Sequence, residues 1–212
     1  MTDLLPEDKL NLCIDFSNLS SYVALAGTRL LVDETGIELN WLPLAKLSTR
    51  STGKNQEGDP LAEYKARRAR ARSGFAEREL QRDCDLLELP VNSGSVQFDQ
   101  TAVAMGLLLL RGADASQHQY WQYAEEIFSA AFRQNQPIEH NDRVAELIGS
   151  LGITSSPVGR SSGRLAEIQE ELLDAGIFDS PTFVYKGERY LGRQHFPLLT
   201  WILKGRNGLP PV

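Results

Sequence analysis

The chain has 212 residues, 42% of them apolar, and carries a net charge of −6. That much apolar material excludes a disordered chain, and the acidic balance speaks against nucleic acid as the main partner. Its two cysteines, Cys13 and Cys84, lie about seventy positions apart and form neither a Cys-x-x-Cys pair nor a metal-ligand spacing.

The opening residues carry acid and no long apolar run, so no secretory signal is expected. The longest apolar run, near residues 105–110, is too short to span a bilayer. Both features point to a cytoplasmic protein whose cysteines are reduced, small core residues. The length suits one domain with an insertion, or two small domains sharing an interface.

Residues 10–16 are short and apolar, the pattern of a strand buried on both faces. From 20 to 34 the apolar positions follow a helical period, and Gly36 stops that helix. Residues 37–42 alternate as a half-buried strand does, which completes a β-α-β unit. Residues 47–59, rich in Ser, Thr, Gly and Asn, read as a loop. A long helix follows over 61–89, with Ala69, Ala76, Leu80, Cys84 and Leu87 on one stripe and Pro90 at its end. Further helices are expected over 100–110, 117–133, 141–151 and 164–175. Then come a strand opened by Ser180-Pro181, a Lys186-Gly187 turn, a second strand, and a last helix over 196–203.

Two segments carry the chemistry. The first is Cys13-Ile14-Asp15-Phe16-Ser17-Asn18-Leu19-Ser20-Ser21, a strand running into a helix start. Such a start exposes backbone N–H groups and the positive end of the helix dipole, so it suits a thiolate, carboxylate or phosphate. The second is Ile177-Phe178-Asp179-Ser180-Pro181-Thr182-Phe183-Val184, a proline placed just before a strand.

With the element order, these motifs resemble the DsbA-like branch of the thioredoxin superfamily. Within it the chain is similar to 2-hydroxychromene-2-carboxylate isomerase and kappa-class glutathione transferase. The resemblance implies an α/β, thioredoxin-like fold, β-α-β then α-β-β-α, with an all-helical insertion domain. The thioredoxin-like domain would take residues 8–45 and 176–205, the insertion 60–152, and residues 153–175 would return to the first.

The family places its active group first in a four-residue turn: Cys-x-x-Cys in redox members, Ser-Pro-x-Ser in the isomerase and kappa members. Here Asn18-Leu19-Ser20-Ser21 occupies that turn, so Asn18 stands where the catalytic Ser or Cys is expected and Ser21 matches the second serine. Without a thiol at either end, dithiol–disulfide exchange by this turn is excluded. Asn18 can donate to a thiolate or simply cap the helix; Ser17, one position earlier, offers a hydroxyl. By resemblance Ser180, Pro181 and Thr182 form the family's cis-proline position, facing the active turn and pairing with glutathione. Asn55, Arg193 and Gln194 fall at weaker glutathione-contact positions; Arg193 and Gln194 replace the family's Ser and Asp, which removes the acid for the ligand's amino group. Lys65, Arg68 and Arg72 share one helix face and offer either a solvated surface or an anion site. His118, His140 and His195 are scattered, so no metal site is expected.

The resemblance thus implies a glutathione-dependent isomerase or transferase for a small organic substrate, with the helix start lowering the thiol pKa of glutathione. The alternative is a non-catalytic member that binds a thiol compound or peptide. The family's habit of pairing implies a homodimer.

Overall fold

A computed structural model describes residues 4–45, 60–92, 99–134, 136–138, 141–153 and 161–211. Asn55, His140 and the loop expected over 47–59 lie outside the described residues. The centre is a four-stranded sheet in the order β2-β1-β3-β4, from β1 (Leu10–Ile14), β2 (Leu39–Pro43), β3 (Thr182–Tyr185) and β4 (Glu188–Leu191). β1 runs parallel to β2 and antiparallel to β3, and β3 pairs antiparallel with β4. Every β1 residue is buried, as a strand between two covered faces requires, including the polar Asn11, whose Nδ2 donates to Val184 O at 3.1 Å. The β3–β4 hairpin turns on Lys186 and Gly187 at φ 49° and 81°, the two left-handed positions that a tight hairpin matching strand twist needs.

Between β1 and β2 lies α1 (Leu19–Thr35), closed by Gly36 at φ 67°. α1 packs with α7 (Phe196–Leu203), whose Phe196 ring meets Phe183 of β3 edge-on at 5.3 Å. The opposite sheet face, with Cys13, Leu42 and Val184, is covered by α3 (Gln100–Gly112) and α6 (Ser161–Asp174) through Ala104, Met105, Leu108, Leu165, Ile168 and Leu172. α4 (Gln117–Phe128) begins with a capping box between Ser116 and Gln119 and is followed by α5 (Asn141–Ser150). The helix expected over 117–133 instead changes to π-type hydrogen bonding at Ser129–Arg133. That last turn carries Arg133, whose Nε donates to Tyr22 Oη at 2.7 Å. Phe16, ahead of α1, packs on Tyr123 at 5.7 Å and Phe128 at 5.1 Å, fixing the start of α1 against α4.

The chain forms two compact units, Met1–Ala45 with Asn92–Val212, and Lys46–Val91. The helical stretch 60–152 is divided between them, because α3 packs directly on β2 and α6 and so belongs to the body of the sheet. The described part of the second unit is essentially α2 (Pro60–Leu86). Its expected apolar stripe is corrected by the exposure: Ala69, Ala76 and Leu87 are exposed, Leu80 is half-buried, and only Cys84 is buried. No described helix is long and apolar enough to cross a membrane.

Candidate functional site

The site lies where β1 ends, α1 begins and the Ser180–Pro181 turn enters β3. Leu12 and Cys13 of β1 pair with Phe183 and Thr182 of β3, so the sheet register itself brings the two sequence motifs to one end of the strands. The Ser180–Pro181 peptide bond is cis. Asn18 is the N-cap of α1, its side chain accepting from Ser20 N at 2.9 Å. The same amide donates from Nδ2 to the Ser180 carbonyl at 2.9 Å. An asparagine amide has two N–H protons, so after this bond Asn18 holds one more. The cap and ligand-donor roles read from the sequence are thus compatible in one side chain.

The serines form a chain of hydroxyls beneath Asn18. Ser21 Oγ and Ser180 Oγ lie 2.7 Å apart, and Ser180 Oγ also accepts from Asp15 N at 2.7 Å. Ser180 N–H is used locally, donating to Asp179 Oδ1 at 2.9 Å. Thr182 Oγ1 donates to Asp179 O at 2.6 Å, so its hydroxyl closes the turn. Ser17 Oγ donates to Asp15 Oδ1 at 2.7 Å, and Ser17 N donates to the same oxygen at 2.8 Å. Gln100 Nε2, from the first turn of α3, donates to Ser17 Oγ at 2.5 Å. Among the described residues no buried side-chain nitrogen or oxygen lacks a partner.

Asn18, Ser17, Ser21, Ser180, Pro181 and Thr182 are therefore brought together. Arg193 and Gln194 lie in the short 3-10 turn before α7, which packs against α1; Gln194 Nε2 folds back onto Leu191 O at 2.5 Å. His195, in the same turn, meets the Tyr190 ring edge-on at 5.9 Å. Lys65, Arg68 and Arg72 are exposed on α2, in the other compact unit. Two participants went unassigned in the sequence. Asp15 stands in the quoted segment but carries no motif signal, and Gln100 reaches Ser17 across 83 positions, which no local pattern reveals.

Neither cysteine is in a disulfide. Cys13, directly under the site, is fully enclosed, and burial pushes its thiol up to about 12. A thiol this far above neutral pH supplies no thiolate nucleophile. Among the described residues no group of three or more His, Cys, Asp or Glu could hold a metal ion.

A 2-hydroxychromene-2-carboxylate isomerase is similar to this chain at 16% identity, with a TM-score of 0.64 and 93% of each chain covered. The chain has the DsbA-like thioredoxin fold. A probable DsbA oxidoreductase from Streptomyces coelicolor shares the DsbA-like fold at 15% identity and a TM-score of 0.66, covering 96% of this chain and 93% of its own. The cytosolic disulfide reductase DsbM from Pseudomonas aeruginosa matches at 14% identity and 0.62, over 93% of this chain and 98% of its own, and is also known with GSH. No protein-family model and no curated protein matches the chain.

Proposed function

We propose that the cleft between Asn18 and Pro181 binds glutathione or a closely similar thiol compound, and that the chain acts as a glutathione-dependent isomerase or transferase on a small organic substrate. One observation carries this reading: the Ser180–Pro181 turn meets a capped helix start, yet neither brings a reactive thiol, since Asn18 and Ser21 fill the turn and Cys13 is enclosed. Sulfur chemistry there has to use a thiol that the ligand brings. The likeness to an isomerase and to a reductase known with GSH supports the choice of ligand. Two cysteines outside any disulfide fit a reducing, cytoplasmic setting. Asn18, Ser17, Ser21, Ser180, Pro181 and Thr182 all come from one compact unit of one chain.

The second reading, a non-catalytic binder of a thiol compound, is favoured by Asn18 standing where a catalytic Ser or Cys is expected; the Ser180 N–H, spent on Asp179, counts against a peptide ligand in either reading. An extended peptide adding beside the turn needs that donor, and loses it here unless Asp179 swings away. Titrating the protein with millimolar glutathione, followed by conjugation of an electrophilic chloronitrobenzene, separates the two. Binding with turnover is the expected result. Binding without turnover selects the second reading, and heats no larger than dilution at 10 mM glutathione, with no turnover, would remove both.

A further inference from the structure

We propose that a hollow at the starts of β1 and β2 is a second ligand site, built for a free α-amino acid: Arg111 and the Tyr120 hydroxyl take its carboxylate, and Asp114 its ammonium group. Lys9 and Glu38, which line this hollow, directly precede the parallel strands β1 and β2, whereas Asn18 and Pro181 lie beyond the other end of β1. The two sites are therefore separate, and this one does not depend on the thiol reading.

The hollow measures about 340 Å³, room enough for a small ligand. Three of its side chains hold unspent polar groups. Tyr120 is only 8% exposed, yet its hydroxyl makes no hydrogen bond among the described residues. No enclosed side-chain oxygen there lacks a partner, so this hydroxyl reaches open space, and the space that Tyr120 lines is this hollow. Burial chiefly raises the Tyr120 phenol pKa, while Arg111 lowers it and Asp114 raises it, so both charges act on that hydroxyl. Arg111 donates to Asn40 Oδ1, a neutral acceptor, and forms no ion pair among the described residues. Asn40 is itself pinned, its Nδ2 donating to Asn11 Oδ1 at 2.7 Å and to Leu4 O at 3.0 Å. The guanidinium is thus held in place with most of its five N–H donors unused. The Asp114 carboxylate has neither a hydrogen bond nor an ion pair among the described residues. The remaining charges cancel, since Lys9 pairs with Glu38 at 2.5 Å. What is left over is one cation, one hydroxyl and one anion on a single open space. Phosphate, with negative charge alone, would meet the Asp114 carboxylate unrelieved. A zwitterion finds a partner for each end, and its carboxylate suits the planar fork of an arginine. Trp41 fixes the arrangement: its ring stacks on Tyr120 at 6.0 Å, and its Nε1 donates to Gln117 Oε1 at 3.2 Å.

The test is calorimetry on the full chain with L-glutamine and two analogues that each keep one charge: glutaramate, without the amine, and 4-aminobutanamide, without the carboxylate. L-Glutamine should bind roughly ten-fold more tightly than either, and inorganic phosphate should give only heats of dilution. Tyr120→Phe keeps the ring stack and removes a hydroxyl that bonds nothing in the protein. It should melt as the wild type does while binding L-glutamine several-fold more weakly. Arg111→Lys keeps the charge but loses the fork, and should weaken binding further. Asp114→Asn should narrow the gap between L-glutamine and glutaramate. No binding at about 10 mM L-glutamine overturns the proposal, as does equal binding of glutaramate or of phosphate. Binding of L-glutamine that all three substitutions leave unchanged puts the ligand elsewhere and overturns it too. None of these outcomes touches the thiol reading, which the glutathione titration decides.

Discussion

Asn18 carries two duties that can be separated by substitution. As N-cap it contributes about 1 kcal/mol, and its bond to the Ser180 carbonyl adds about 1 kcal/mol more. Asn18→Ala should therefore lower stability by about 2 kcal/mol in urea unfolding, with an unchanged m-value. Asn18→Ser keeps a capping oxygen and should lose about half as much, while glutathione affinity is retained or raised. An Asn18→Ala variant as stable as wild type would show that the α1 start is held by other contacts. Asn18, Ser21 and the Ser180-Pro181 pair were legible in the sequence because each belongs to a contiguous motif with a known physical task. Asp15 and Gln100 were not, because their roles exist only once the fold closes over Ser17.

Cys13 gives a second residue-scale prediction, with a definite sign. Its thiol is pushed from 9.0 to about 12 by burial. Below pH 9 both folded and unfolded chains keep the proton and the full contribution to stability is present. Between pH 9 and 12 only the unfolded chain ionises, so stability falls as pH rises, by about 1.4 kcal/mol per unit at most. Cys13→Ala should show a shallower decline from pH 9 to 11 than wild type, whatever its constant offset from lost packing. Equal slopes for the two proteins would mean that the thiol ionises as readily in the fold as in the unfolded chain. The native Cys13 thiol should also resist alkylation at pH 8 and react fully in denaturant.

Elements were legible where one periodicity governed them. The strand runs at β1 and β2, the glycine stop at Gly36 and the Lys186-Gly187 turn each follow from local chemistry. The π-type turn at Ser129–Arg133 was not, since it alters hydrogen bonding without altering the apolar pattern. Helix-to-helix packing yields a prediction of opposite signs at two glycines. In α3, a Cβ on Gly106 would run into the Tyr123 hydroxyl and lie 2.6 Å from Val144 Cγ1. The Tyr123 hydroxyl is not free to give way, as it donates to Val103 O at 2.7 Å from a fully buried position. Alanine gains up to ~1 kcal/mol in helix propensity over glycine, but overpacking of this kind costs ~1–3 kcal/mol. Gly106→Ala should thus lower Tm, whereas Gly149→Ala in α5, with nothing within 4 Å of the new Cβ, should raise it. Thermal melts of the two variants side by side decide the matter; a rise for both would show that α3 and α4 can shift apart cheaply.

At the scale of the whole molecule the two compact units differ in what holds them. The sheet unit is organised around strands with no exposed residue in β1 and a shared apolar cluster beneath α3 and α6. In α2, residues 63–73 are exposed on every side. Within that stretch like charges stand at helical neighbour spacings, Lys65 with Arg68, Arg67 with Arg70 and Arg68 with Arg72, each disfavouring the helix by ~0.2–0.5 kcal/mol. The later half of α2 is laced instead with favourable pairs, Arg82 with Glu79 at 2.6 Å and Gln81 with Asp85 at 3.0 Å. The sequence showed this charge run but read the apolar stripe as continuous burial, because periodicity reports which face could be covered and not whether anything covers it. Opening of residues 63–73 should therefore need little free energy, while β1 and β3 open only with the whole unit. Hydrogen exchange followed by mass spectrometry should label the first half of α2 within seconds to minutes at low salt, and β1 orders of magnitude later. Raising the salt to about 0.5 M screens the cation pairs and should slow exchange in 63–73 measurably while leaving β1 unchanged. Protection of this segment equal to that of β1 at low salt would mean that α2 is buried in solution, in a contact with its own chain or with another.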